Sequence, residues 1–202
     1  VKATPAPMQP ALGLLEFSSI AAGIQAGDAM VKRAPLSTLH AGTVHPGKYL
    51  VLVGGEVASV EEALRAGRLA GGRALLDEVF LPAVDAAVVA ALTGARRARL
   101  GEALGVIETL SVAATIAAAD AAVKGARVRL LELRLADGLG GKAYALLAGA
   151  VTDVEAGVEI GARSVTRAEL LVEQVVIARL HGEMGANLEA HAEFATRVRA
   201  AG

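Results

Sequence analysis

The chain has 202 residues, no cysteine, and 20 Lys+Arg against 21 Asp+Glu, a formal net charge of −1. Absence of cysteine excludes disulfides, thiolate catalysis and thiolate metal sites, and the balanced charge argues against non-specific nucleic-acid binding, which needs surplus Lys and Arg. Aromatic residues make up 2% with no Trp, too few for a base- or sugar-stacking surface.

In chain order, residues 11–17 (ALGLLEF) form a short apolar run that predicts a buried strand. Ser18 or Ser19 offers an N-cap to a helix running to about Ala34, with Lys32 in its last turn and Pro35 marking its end. Leu36–Val44 and Lys48–Val53 read as strands flanking the turn His45-Pro46-Gly47. A second helix is expected over Val57–Ala70, a fourth strand over Leu75–Leu81, and a short helix over Ala83–Leu92 after Pro82. Residues 93–102 read as a charged linker.

The pattern then starts again. Residues 11–34 match 103–126 at 14 of 24 positions, an offset of 92, and 47–61 align with 141–155 after two extra residues in the loop 137–141. The second copy predicts strands at 103–109, 128–136, 142–148 and 170–178, helices at 111–126 and 152–163, and a terminal helix at about 184–200 carrying a Glu193–Arg197 pair. The fold class is therefore α+β, with two domains of order βαββαβα, each a four-stranded antiparallel sheet with helices packed on it. Domain bounds fall at 10–92 and 103–182, with a helical extension at 183–202.

Mean hydropathy is +0.50, yet the longest stretch without Asp, Glu, Lys or Arg is the 14 residues Ala34–Gly47, interrupted by two prolines. A spanning helix needs about 20 apolar residues, so the apolar surface is expected to be buried inside the molecule or between copies of it. The start of the chain has no charged-then-apolar signal pattern.

No catalytic constellation emerges. Gly138–Lys142 (GLGGK) invites a phosphate-loop reading, but Ala136 and Ala143 stand where that motif needs Gly and Ser or Thr. Glu16 and Glu108 recur in register, as do Asp28 and Asp120; the plain readings are a strand-end acceptor and a helix-surface charge. Lys32 and Lys124 recur, as do Lys48 and Lys142. Solvated lysines are the ordinary expectation, but retention in two drifting copies points to a shared assembly edge.

ALGLLEF followed by AGDAMVKRA, and ALGVIET followed by AADAAVKGA, closely resemble the bacterial microcompartment shell family (the BMC domain), twice over and across residues 10–182. The unpermuted order makes the chain similar to the tandem-domain, trimer-forming members of the propanediol-utilisation kind. The resemblance implies a structural, non-enzymatic protein: a homotrimer forming a pseudohexameric tile in a cytoplasmic microcompartment shell, beside hexameric and pentameric shell proteins. No nucleic acid or membrane partner is implied. Lys32, Lys124 and Arg179 would lie on tile edges. His45, Pro46 and Gly47, with Asp137, Gly138, Leu139, Gly140 and Gly141, would line a central pore for small metabolites. Members of the family with this hairpin can carry a cysteine before the proline and hold an iron–sulfur cluster. Here His45 takes that place, so no cofactor is expected unless three copies of His45 hold one metal ion on the three-fold axis. The alternative is a small-ligand or metal-binding regulatory trimer of similar fold; an enzyme ranks last.

Overall fold

The computed structural model describes residues 11–93 and 100–189. Most of the expected linker and the Glu193–Arg197 pair lie outside the described residues. The first repeat comprises β1 (Ala11–Phe17), α1 (Ile20–Arg33), β2 (Thr38–Val44), β3 (Lys48–Gly55), α2 (Val57–Gly71), β4 (Leu75–Leu81) and α3 (Ala86–Leu92). The second comprises β5 (Ala103–Thr109), α4 (Val112–Gly125), β6 (Arg129–Leu135), β7 (Ala143–Gly149), α5 (Val151–Ser164), β8 (Leu171–Ala178) and α6 (Gly182–Glu189). The strands form two antiparallel sheets of orders β2-β3-β1-β4 and β6-β7-β5-β8.

Local chemistry sets the element ends. Ser19, not Ser18, caps α1, accepting from the Ala22 N–H at 3.3 Å, and Ser111 caps α4 through Ala114 at 3.1 Å. Ser18 instead donates its hydroxyl to the Ala74 carbonyl. β2 starts at Thr38 rather than Leu36, where its ladder with β3 begins opposite Gly54. The short helix starts at Ala86 rather than after Pro82, because Asp85 supplies the cap by accepting from the Ala87 N–H at 2.8 Å. β6 stops at Leu135, since Ala136 turns into the left-handed region (φ 47°). The last helix begins at Gly182, two residues before its expected start.

On one face of the first sheet, Leu15, Phe17, Val51 and Val53 pack against Met30 and Leu64 of α1 and α2. Arg33 ties the two helices by bonding Glu62 at 2.6 Å, which holds the Glu62 carboxyl below its usual range. In the second sheet, Gly161 lets α5 approach closely: a Cβ there would meet Ile107 at 2.5 Å and the Ala118 carbonyl at 2.8 Å.

The two repeats differ most in their first helices. α1 buries one stripe, Gly23, Ala26, Gly27 and Met30, whereas α4 buries residues all round, from Val112 through Ala122. A helix apolar on every side must be covered on both. Its second cover comes from the first repeat: α4 lies on β4 and β1, where Leu12, Leu14 and Val79 join Val112 and Ile116 in one core. The repeats are thus joined face to helix.

Candidate functional site

Polar groups fix that joint. Glu16, on β1, is fully buried. One carboxylate oxygen accepts from the Lys48 ammonium at 2.6 Å, and the other accepts from the Val112 N–H at 2.9 Å. Val112 is the first residue of α4, where N–H groups lack intrahelical partners and the helix dipole favours an anion. Lys48 also donates to the carbonyls of Leu110 (3.1 Å) and Gly141 (3.2 Å). Beside this cluster the Ser111 hydroxyl donates to Asp77, and Arg167 donates to the Leu76 carbonyl at 2.7 Å.

Glu16 is the acceptor near a strand end that the plain reading expected, and it bridges the repeats besides. Lys48 is largely buried at the joint rather than solvated. Asp120 departs likewise from the helix-surface charge expected of it: it is buried, accepts from the Asp85 N–H at 2.8 Å and pairs with Lys124 at 2.5 Å. The sequence carried a signal for this, the recurrence of Glu16/Glu108, Lys48/Lys142 and Asp28/Asp120. It did not carry the information that only one member of each pair meets the other repeat within the chain.

The joint also brings the two glycine-rich hairpins together. His45 Nδ1 lies 3.7 Å from Asp137, both exposed. The His45–Pro46 peptide bond is cis. Gly141, at φ +86°, sits so close to Pro46 that a Cβ would meet it at 2.8 Å. Gly47, Gly138 and Gly140 also take positive φ, as these tight tips require, and the Leu139 N–H donates to the Ala136 carbonyl at 3.0 Å. Residues 45–47 and 137–141 therefore form one double tip. No cluster of three or more His, Cys, Asp or Glu side chains able to hold a metal occurs among the described residues; a metal at His45 would need donors from other copies.

Of the three expected edge residues, Lys32 is exposed and pairs with Asp28 at 2.6 Å. Lys124 reaches back to the first repeat, donating to the Ala83 carbonyl. Arg179 follows β8, with φ 53° and its N–H bonded to the Glu102 carbonyl at 2.8 Å.

The BMC domain family model matches residues 11–84 and 103–180. The chain is 42% identical to the bacterial microcompartment shell protein PduT of Citrobacter freundii, over 88% of this chain and 96% of that protein. One repeat's length, 83 residues, is 41% identical to the shell protein EutM of Salmonella typhimurium, covering 41% of this chain and 84% of that one. The crystal structure of a microcompartments protein from Desulfitobacterium hafniense superposes with TM-score 0.76 at 41% identity, covering 88% of this chain and 98% of that one.

Replacing Glu16 with Ala leaves the Lys48 ammonium and the Val112 N–H without their shared acceptor. Breaking such a buried pair costs about 3 kcal/mol. The Glu16→Gln chain, which keeps an acceptor but loses the charge, is expected to lose less. Urea unfolding of the Glu16→Ala and Glu16→Gln chains checks both the size and the order of these losses.

Proposed function

This chain belongs to the BMC family of bacterial microcompartment shell proteins, and from that premise we propose that three copies close into a ring of six domains that serves as one tile of the shell. The observation that carries the trimer is the unequal burial of equivalent surfaces. Ile24 of α1 is 55% exposed, whereas its counterpart Ile116 of α4 is 0% exposed because the first repeat's sheet covers it. Ile20 and Val31 are exposed on α1, while Val112 is buried and Val123 packs against the core. The complementary surface is bare on the second repeat. Leu14 pairs with Val79 on β4, and equivalently Val106 pairs with Val175 on β8. Val79 is buried under α4; Val175 and Val172 are exposed. Glu108 pairs with Lys142 at 2.8 Å, as Glu16 pairs with Lys48, but meets no helix start among the described residues.

Each chain thus presents one used joint and the two open halves of a second. Joining open halves head to tail repeats the internal joint, and a heterologous interface that closes leaves no half unpaired. In that ring Glu108 would accept from the Ile20 N–H of the next copy. The positive mean hydropathy then has its explanation in surface buried between copies.

Closure gathers the double tips at the ring's centre. His45 and Asp137 of each copy would line a pore, where a ring of fixed side chains sets the electrostatic barrier to passing metabolites. Lys32, Arg179 and the solvent-facing part of Lys124 would meet neighbouring tiles at the edges, including those of other shell proteins. The role is structural: the relative matched over most of the chain is a shell protein, and the recurring charges are accounted for by joints and edges rather than by a reaction.

Native mass spectrometry of the unmodified chain is expected to give a trimer. Ile24→Asp or Val175→Asp should give a folded monomer by circular dichroism, because each would bury a charge in a joint half; a trimer unaffected by both would sink the assignment of the joint. The Lys32→Glu/Arg179→Glu chain is expected to stay trimeric but to lose the sheets or tubes that electron microscopy should show for the parent at high concentration. Untagged protein is expected to carry no stoichiometric metal after zinc addition. One zinc per three chains, lost in His45→Ala, would replace the open-pore reading with a three-histidine centre.

A further inference from the structure

The short helix after the last strand of each repeat is built alike but placed differently. α3 starts where Asp85 accepts from the Ala87 N–H at 2.8 Å; α6 starts where His181 Nδ1 accepts from the Glu183 N–H at 3.4 Å. The strand registers set the correspondence. Val79 and Val175 occupy equivalent places, which aligns Asp85 with His181 and Val88 with Met184.

α3 does not stay on its own sheet. It lies along β6 and touches α4 in the other repeat, and Val84 and Val88 share a core with Leu130 and Leu133. α6 lacks comparable cover: Met184 is 53% exposed where Val88 is 0%. Gly185 rests against Leu100, just ahead of β5.

The surface matching β6 is bare in the first repeat. Leu39 stands opposite Val53, itself opposite Gly13; Leu130 stands opposite Leu147, itself opposite Gly105. Leu39 and Leu130 are therefore equivalent, yet Leu39 is 44% exposed and Leu130 is 6% exposed. Beside it, Ala41 is exposed where Leu133 is buried, and Val31 of α1 is exposed where Val123 is packed.

We propose that α6 is a clasp between copies, docking on the shoulder formed by β2 and the end of α1 in the neighbouring chain, with Met184 taking the place that Val88 takes beside Leu130. The occupant is fixed by the order of domains: α3 covers the repeat that follows its own, and in the closed ring the repeat following the second is the first repeat of another copy. An unbranched thioether adapts to an uneven apolar shoulder. The proposal rests on the trimer reading and gives the last helix of the domain a function in it.

The chain has no cysteine, so cross-linking is clean. Chains carrying Leu39→Cys and chains carrying Met184→Cys are mixed under assembly conditions and treated with a short bismaleimide. The expected product is a covalent pair of one chain of each kind, and the double Leu39→Cys/Met184→Cys chain should give a ladder ending at three. Met184→Asp, with folding followed by circular dichroism, is expected to raise the concentration at which trimers dissociate by about tenfold. A trimer by native mass with no cross-link, or with a link only inside one chain, overturns the clasp and leaves the trimer standing. Monomers at every concentration overturn both.

Discussion

A single carboxylate organises the molecule. Glu16 has no exposure to water, and a buried anion persists only where partners replace its hydration. Here the partners come from two places: Lys48 on the adjacent strand, and the start of α4 in the other repeat, which offers its first N–H and the favourable end of its dipole. The two are linked, because Lys48 also donates to carbonyls just ahead of α4 and in the second hairpin. The Glu16–Val112 contact places the start of α4, and the apolar packing of Val112 and Ile116 against Leu12, Leu14 and Val79 lays the rest of the helix across β1 and β4.

Duplication makes the consequence visible. The two repeats carry the same motif, but a linear chain has one internal joint and two free ends. Residues that are equivalent by sequence therefore diverge in environment: Asp28 is exposed and Asp120 buried, while Glu108 keeps its lysine but, among the described residues, has no helix start such as Glu16 has. In the proposed ring the internal joint acts as a template for the external one. Its core of Leu12, Leu14, Val79, Val112 and Ile116 states what the open faces of α1 and β8 must find.

The secondary structure was legible because each element carries its own chemistry: serine caps, glycine stops and apolar runs of strand length. Element ends departed where one particular cap or turn decided them, as at Asp85, whose carboxylate caps α3 while its N–H is held by Asp120 of the other repeat. The recurring charged pairs were legible as pairs, but not as joints. Sequence shows that Glu16 and Glu108 occupy one register position; burial depends on which domain lies against which sheet, a relation between segments 96 residues apart in the Glu16–Val112 contact. The resemblance put both hairpins at one pore, but the 3.7 Å approach of His45 to Asp137 depends on the joint, which the sequence does not display.

That meeting bears on why a shell tile should be built from a fused pair at all. In a ring of six identical domains, every tip is the same, so the central opening is lined by one residue type repeated at each position. Fusion frees the two tips to differ while the joint stays fixed. In this chain they have differed: the first repeat keeps the tight His45-Pro46-Gly47 turn, and the second has gained two residues and an aspartate. Glycine at 141 is what lets them share the space, since its missing Cβ leaves room for Pro46. A base and an acid can then alternate around the proposed opening at 3.7 Å within each chain, an arrangement six identical domains cannot make. The joint and the divergent tips are two sides of one constraint: Glu16 and Lys48 tie the two domains together, so the loops beyond them can vary without moving the joint.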